Sequence, residues 1–157
     1  MSTEPDTELK QLVHDYIYAA KWAPLAIVRE DGSPTMRPIG AFAPVASGEL
    51  DIYFLTRADT AKVRALRSNP RVSFFFEHGV ENIAAYKAVS LIGEATEVAP
   101  DTPEHTTAVA VLAARSPYVK GLVERNELAG SLIFRIRTSE VRYSDYAAQE
   151  KMRELKL

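Results

Sequence analysis

The stretches Pro34-Thr35-Met36-Arg37-Pro38-Ile39 and Tyr53-Phe54-Leu55-Thr56-Arg57-Ala58-Asp59-Thr60-Ala61-Lys62 decide the fold. The first reads as a strand carrying a single cation, Arg37. The second reads as an apolar strand that ends at Thr56 and turns into a helix. That helix opens with Asp59 and Thr60, which are good capping types. Lys62 then falls in its first turn, where a cation opposes the helix dipole. An anion over Thr60 and Lys62 resolves the conflict, because free N–H groups at a helix start bind phosphate. The alternative is an exposed lysine, for which the dipole penalty is roughly a few tenths of a kcal/mol.

Outward from these stretches, short turns dominate. Glu30-Asp31-Gly32-Ser33-Pro34 joins the apolar strand Leu25–Val28 to a strand over Thr35–Val45, and Ser47-Gly48-Glu49 leads into the strand Leu50–Thr56. Connections this short predict antiparallel pairing, since parallel strands need a long crossover. Upstream, Leu9, Leu12, Val13, Tyr16, Ile17 and Ala20 recur at helical spacing, so a helix is expected from about Thr7 to Lys21, ended by Pro24. Residues 1–7 read as disordered. Downstream, a short helix over Thr60–Arg67 stops at Asn69-Pro70. Val72–Phe76 is an aromatic strand whose phenylalanines read as core. Tyr86–Val98 is a long strand in which Gly93 marks a bulge or a close backbone approach. Helical segments follow near Glu104–Ala114 and Pro117–Leu128. Strands are expected at Ser131–Arg137 and Glu140–Tyr146, and the charged tail over 147–157 reads as flexible or helical. The whole is mainly β with short helices, with six or seven strands in one antiparallel barrel and a single domain over 1–157.

Composition narrows the function. The 157 residues are 46% hydrophobic, enough for a core without metal or disulfide staples. A net charge of −2 provides no global field for nucleic acid or an anionic membrane. The absence of cysteine excludes thiol chemistry and Cys-ligated metals. The N-terminal residues are polar and acidic, unlike a signal peptide, and no apolar run nears the roughly 20 residues of a membrane span. A cytoplasmic location is expected. His14, His78 and His105 show no metal-ligand spacing, so no metal is expected. There is no nucleophile elbow, Walker loop or Rossmann fingerprint, and no catalytic side chain can be named. Any chemistry therefore falls to a bound cofactor.

The ordered series Leu25–Pro34, Arg37-Pro38-Ile39, Leu50–Thr56, Thr60-Ala61-Lys62-Val63, Asn69-Pro70-Arg71-Val72 and Val89–Ala95 resembles the pyridoxamine 5′-phosphate oxidase-like superfamily. The resemblance implies a split β-barrel and a homodimer with FMN between the subunits. It implies that Arg37 meets the FMN phosphate, that Pro38 and Ile39 run beside the ring, and that Leu55 and Thr56 line the ring and ribityl side. Thr60, Ala61 and Lys62 would close over the phosphate, the anion site reached above from helix electrostatics. A dimer also has a physical motive, since a flat ligand on a small barrel needs a second wall. The resemblance stops short of the vitamin B6 oxidases themselves. Phe42, Ala61 and Ala88 stand where those enzymes carry a second cation, an arginine and a glutamine, and Tyr143–Leu157 lacks their substrate-binding segment. The implied function is an FMN-dependent oxidoreductase acting on an unidentified small molecule. A non-enzymatic flavin binder or electron carrier is the alternative, as is a split barrel holding a deazaflavin or haem, with His78 as the haem ligand to test.

Overall fold

A computed structural model describes residues 3–79 and 81–157. Helix α1 (Glu4–Ala19) leads into strands β1 (Ala23–Val28), β2 (Pro34–Ile39), β3 (Phe42–Pro44) and β4 (Ile52–Arg57). Helix α2 (Ala61–Ser68), strands β5 (Arg71–Phe76) and β6 (Lys87–Glu97), helices α3 (Pro103–Arg115) and α4 (Pro117–Glu124), and strands β7 (Ser131–Asp145) and β8 (Met152–Lys156) complete the chain. Every strand pairing is antiparallel. The path runs β2-β1-β5-β6-β7-β4-β3, and β8 pairs with β7 beside it.

The two ends of that path, β2 and β3, are consecutive in the chain and separated only by Gly40 and Ala41. So short a step between opposite edges curls the sheet back on itself, giving the split barrel that the turn pattern predicts. The inside is filled by Phe42, Phe54, Phe74, Phe76 and Phe134. The Phe74 and Phe76 rings lie 4.6 Å apart, and Phe54 stacks on Phe134 at 5.3 Å. Helix α1 adds Leu9, Val13 and Ile17, the i, i+4, i+8 stripe read from the sequence. Phe75 points the other way and stays partly exposed.

Strand β4 is buried on both faces. Ile52 and Phe54 belong to the barrel core, while Tyr53 and Leu55 pack under Leu112 of α3 and Val119 of α4. This explains its unbroken apolar run, since a half-exposed strand would alternate. Gly93 sits at a register shift between β6 and β7, and a Cβ there would meet the Arg137 carbonyl, so both features expected of it are present.

Four expectations are corrected. The N-terminal segment is helical from Glu4, because Thr3 and Asp6 form a reciprocal capping box and Pro5 suits the first turn; residues 1 and 2 lie outside the described residues. The strand expected over 35–45 is two strands, broken at Gly40-Ala41 where the chain changes edge. The strands expected at 131–137 and 140–146 are one, β7. Buried Thr138 does not break it, because its N–H donates to Asp51 Oδ1 (3.0 Å) and its hydroxyl to the Leu50 carbonyl (2.7 Å). The tail is not helical: Met152–Lys156 is a strand that extends the β7 edge beyond β4, with Leu155 as its buried residue.

Candidate functional site

The end of β4 and the start of α2 form one wall of a groove of about 420 Å3. Leu55, Thr56 and Arg57 come from β4, Lys62 from α2, and Pro38 and Ile39 from β2. Gly40 and Ala41 floor it at the edge-changing step, and Ser116, Pro117 and Tyr118 close the far side from the start of α4. Thr60 caps α2, its hydroxyl accepting from the Val63 N–H (3.3 Å) and donating to the Arg57 carbonyl (3.3 Å). That cap turns the chain sharply after β4 and swings the first turn of α2 back over the strand end.

Lys62 is half-buried. Its Nζ donates to the buried Thr56 hydroxyl at 3.0 Å, and it is in no ion pair among the described residues. Burial, and then the charge of Arg37, hold its pKa below the ordinary lysine value. Arg37 Nη1 donates to Thr35 Oγ1 (2.9 Å) and to the Met36 carbonyl (2.8 Å), and no carboxylate pairs with it among the described residues. The exposed Arg37, outside the lining of the groove, thus acts through its charge on Lys62 within it, and the start of α2 lies beside the lysine. Such a donor set favours an anion carrying two charges.

Of the residues singled out from the sequence, Pro38, Ile39, Leu55, Thr56 and Lys62 line the groove. Arg37 lies along its own strand, near enough to Lys62 for their charges to act on each other. Thr60 works through its cap, and Ala61 faces a neighbouring depression with Arg29 and Arg64.

The α4 residues were not foreseen. Their place depends on Arg115, whose guanidinium donates to the carbonyls of Tyr18 (3.1 Å), Phe42 (2.8 Å) and Ala20 and lies 4.1 Å from the Phe42 ring centroid. At the other end of α3, Arg135 bridges Glu104 (3.0 Å) and Asp51 (2.8 Å). Only Ser116-Pro117, a cap followed by a first-turn proline, signals this wall in the sequence. The histidines lie apart, and no group of three or more His, Asp or Glu among the described residues could hold a metal ion. No helix among the described residues is long and apolar enough to cross a membrane.

The sequence matches the family model described as pyridoxamine 5′-phosphate oxidase over residues 9–145. No curated protein matches it. Among solved structures, it is similar to a haem-binding protein from Mycobacterium smegmatis (TM-score 0.76, 16% identity, covering 99% of this chain and 60% of that one). It is also similar to HutZ, the haem storage protein of Vibrio cholerae (0.64, 20%, 88% and 91%). A third likeness is to a protein from Clostridium acetobutylicum related to general stress protein 26 of the pyridoxinephosphate oxidase family (0.64, 11%, 97% and 96%). Identities this low speak to the fold alone. The family match, the curled antiparallel sheet and the edge-changing step at Gly40-Ala41 lead to one assignment: the chain belongs to the pyridoxamine 5′-phosphate oxidase-like family of split barrels.

Proposed function

We propose that this protein binds FMN in the groove between β2, β4 and α2 and works as a flavin-dependent oxidoreductase on a small molecule. The observation that carries the reading is Lys62, half-buried in the groove with the Thr56 hydroxyl as its partner and no carboxylate among the described residues, and Arg37, likewise without a carboxylate there, acts on it through its charge. FMN fits the donor set. Its phosphate dianion would relieve the repulsion, with Lys62, Arg37 and the first turn of α2 as its partners. Its flat ring suits the apolar walls given by Ile39, Leu55 and Pro117. Bound FMN supplies hydride and one-electron chemistry. This chain's residues bind and orient it, and Thr56 holds the Lys62 ammonium in place. Tyr118 is 54% exposed on the rim, so one side of the groove is left to solvent. A second copy of the chain would cover that side, and a homodimer is part of the proposal. The test is the visible absorption spectrum of the purified protein, followed by FMN and riboflavin titrations and sedimentation. A protein that binds riboflavin as tightly as FMN would defeat the phosphate reading. Turnover with a nicotinamide donor separates an enzyme from a carrier.

Haem is the second reading. Some proteins of similar structure bind it, and His78 gives it a specific foothold. The His78 ring stacks on Tyr16 at 4.0 Å, beside the exposed Trp22 in a cavity of about 460 Å3, and neither ring nitrogen has a hydrogen-bond partner among the described residues. An axial imidazole needs such a free nitrogen. A haem absorption band lost in His78→Ala and kept in Lys62→Ala would favour this reading over FMN.

A further inference from the structure

A second cavity, of about 580 Å3, adjoins the groove and shares Gly40, Ser116 and Pro117 with it. Its remaining lining comes from Tyr18 and Lys21 at the end of α1, from Arg115, and from small residues such as Ala20 and Ala114. Gly40 lines both spaces, and a Cβ there would meet nothing within 4 Å.

The lining has one electrostatic sign. No aspartate or glutamate faces the cavity. Arg115 is half-buried, with three carbonyls and no carboxylate for its charge. Lys21 is exposed and is in no ion pair among the described residues, and it also lines the neighbouring cavity that Glu77 and His78 line. Alanines and Pro117 offer an apolar floor, and the Tyr18 ring, 48% exposed with His14 stacked on it at 5.9 Å and the Arg115 guanidinium 5.6 Å from its centroid, borders it. A cation at the rim over an apolar floor suits a molecule with a flat body and one negative end. A neutral molecule of the same shape would leave the lysine unanswered. A dianion is better served in the neighbouring groove, which both Arg57 and Lys62 line.

We propose that this cavity takes the organic substrate of the flavin site, and that the substrate is a small planar carboxylic acid. Its carboxylate lies on Lys21, its body packs between Tyr18 and the alanine floor, and its far end reaches past Gly40 into the groove. The assignment of a substrate rests on the FMN reading; the recognition of a planar carboxylate rests only on this lining.

Cinnamate and cinnamamide test the idea, because they share a shape and differ in charge. Titrated into the FMN-loaded full chain, cinnamate perturbs the visible flavin band saturably, and cinnamamide binds at least about tenfold more weakly, the loss of one charge-assisted contact. Lys21→Met removes that preference and leaves FMN affinity unchanged. Lys21 is exposed, so the variant folds. Equal affinity for acid and amide, no binding of either, or cinnamate affinity unchanged in Lys21→Met overturns the proposal. Calorimetry of cinnamate against the flavin-free chain separates the two readings. A Lys21-dependent preference there, in a protein that binds no FMN, keeps the carboxylate site and defeats the cofactor assignment alone.

Discussion

Lys62 Nζ donates to the buried Thr56 hydroxyl across 3.0 Å, and that hydroxyl is its partner where a carboxylate would normally stand. A neutral acceptor holds the ammonium without cancelling its charge. The charge is therefore available to a ligand, and Arg37 raises the local potential further.

Lys62→Ala and Arg37→Ala are each expected to weaken FMN binding by about ten- to a hundredfold, or about 1.5–3 kcal/mol per charge-assisted contact. The losses need not add, since both groups address one dianion. Riboflavin lacks the phosphate, and its affinity stays unchanged in both variants. Fluorescence titration with the two flavins makes the measurement. Equal weakening of riboflavin would mean that the side chains act through structure.

The flavin-free protein carries a penalty at Lys62 that pH relieves. Its folded pKa lies below the ordinary lysine value, through burial and then Arg37. Between the two values the unfolded chain binds more protons, so stability rises with pH across that window. The penalty is complete below the folded pKa and gone above the ordinary value. Lys62→Met removes it, so at neutral pH the flavin-free variant is expected to be at least as stable as the wild type and to lack this part of the alkaline rise. Urea titrations over an alkaline pH series read the difference; parallel curves would refute it.

The parts of this fold that were legible in the sequence are those set by local rules. Gly32 and Gly48 take positive φ in the turns assigned to them, and Thr60 caps α2 as its type suggests. What escaped depends on distant partners. Thr138 looks like a strand break until Leu50 and Asp51 satisfy it. The strand β8 buries Leu155 alone among charged neighbours, so its pattern is that of a solvated tail. The N-terminal capping box was present in Thr3 and Asp6 but was masked by the polar composition around it. At the groove, the β4–α2 side follows from one continuous stretch. The α4 side lies some sixty residues on, and a long-range brace at Arg115 puts it there.

Gly93→Ala is expected to destabilise the protein by about 2–3 kcal/mol, in the range of overpacking costs. The added Cβ would meet the Arg137 carbonyl oxygen and its carbon at 2.9 Å, backbone that cannot swing aside as a side chain would, and it would also crowd Ile136 Cγ2 at 3.0 Å. Chemical denaturation measures the loss. A neutral result would mean that β6 and β7 separate at the bulge with no loss of pairing energy.

Arg115→Ala removes the brace between α1, β3 and α3. The Tyr18, Ala20 and Phe42 carbonyls lose their donor together. For half-buried groups the expected loss is about 2–3 kcal/mol, since some carbonyls will find water. Arg115→Lys should recover only part of it. An ammonium cannot present a planar fork to three carbonyls in different directions, nor spread a planar group over the Phe42 ring, whose centroid lies 4.1 Å from the guanidinium carbon. Because Ser116–Tyr118 follow directly, FMN and riboflavin should weaken by the same factor in Arg115→Ala, in contrast to the phosphate-selective loss at Lys62. Denaturation curves and the two flavin titrations, run on the same preparations, give both readouts. Full stability in the lysine variant would show that the fork geometry is dispensable. A loss confined to FMN would show that Arg115 acts on the phosphate rather than on the groove wall.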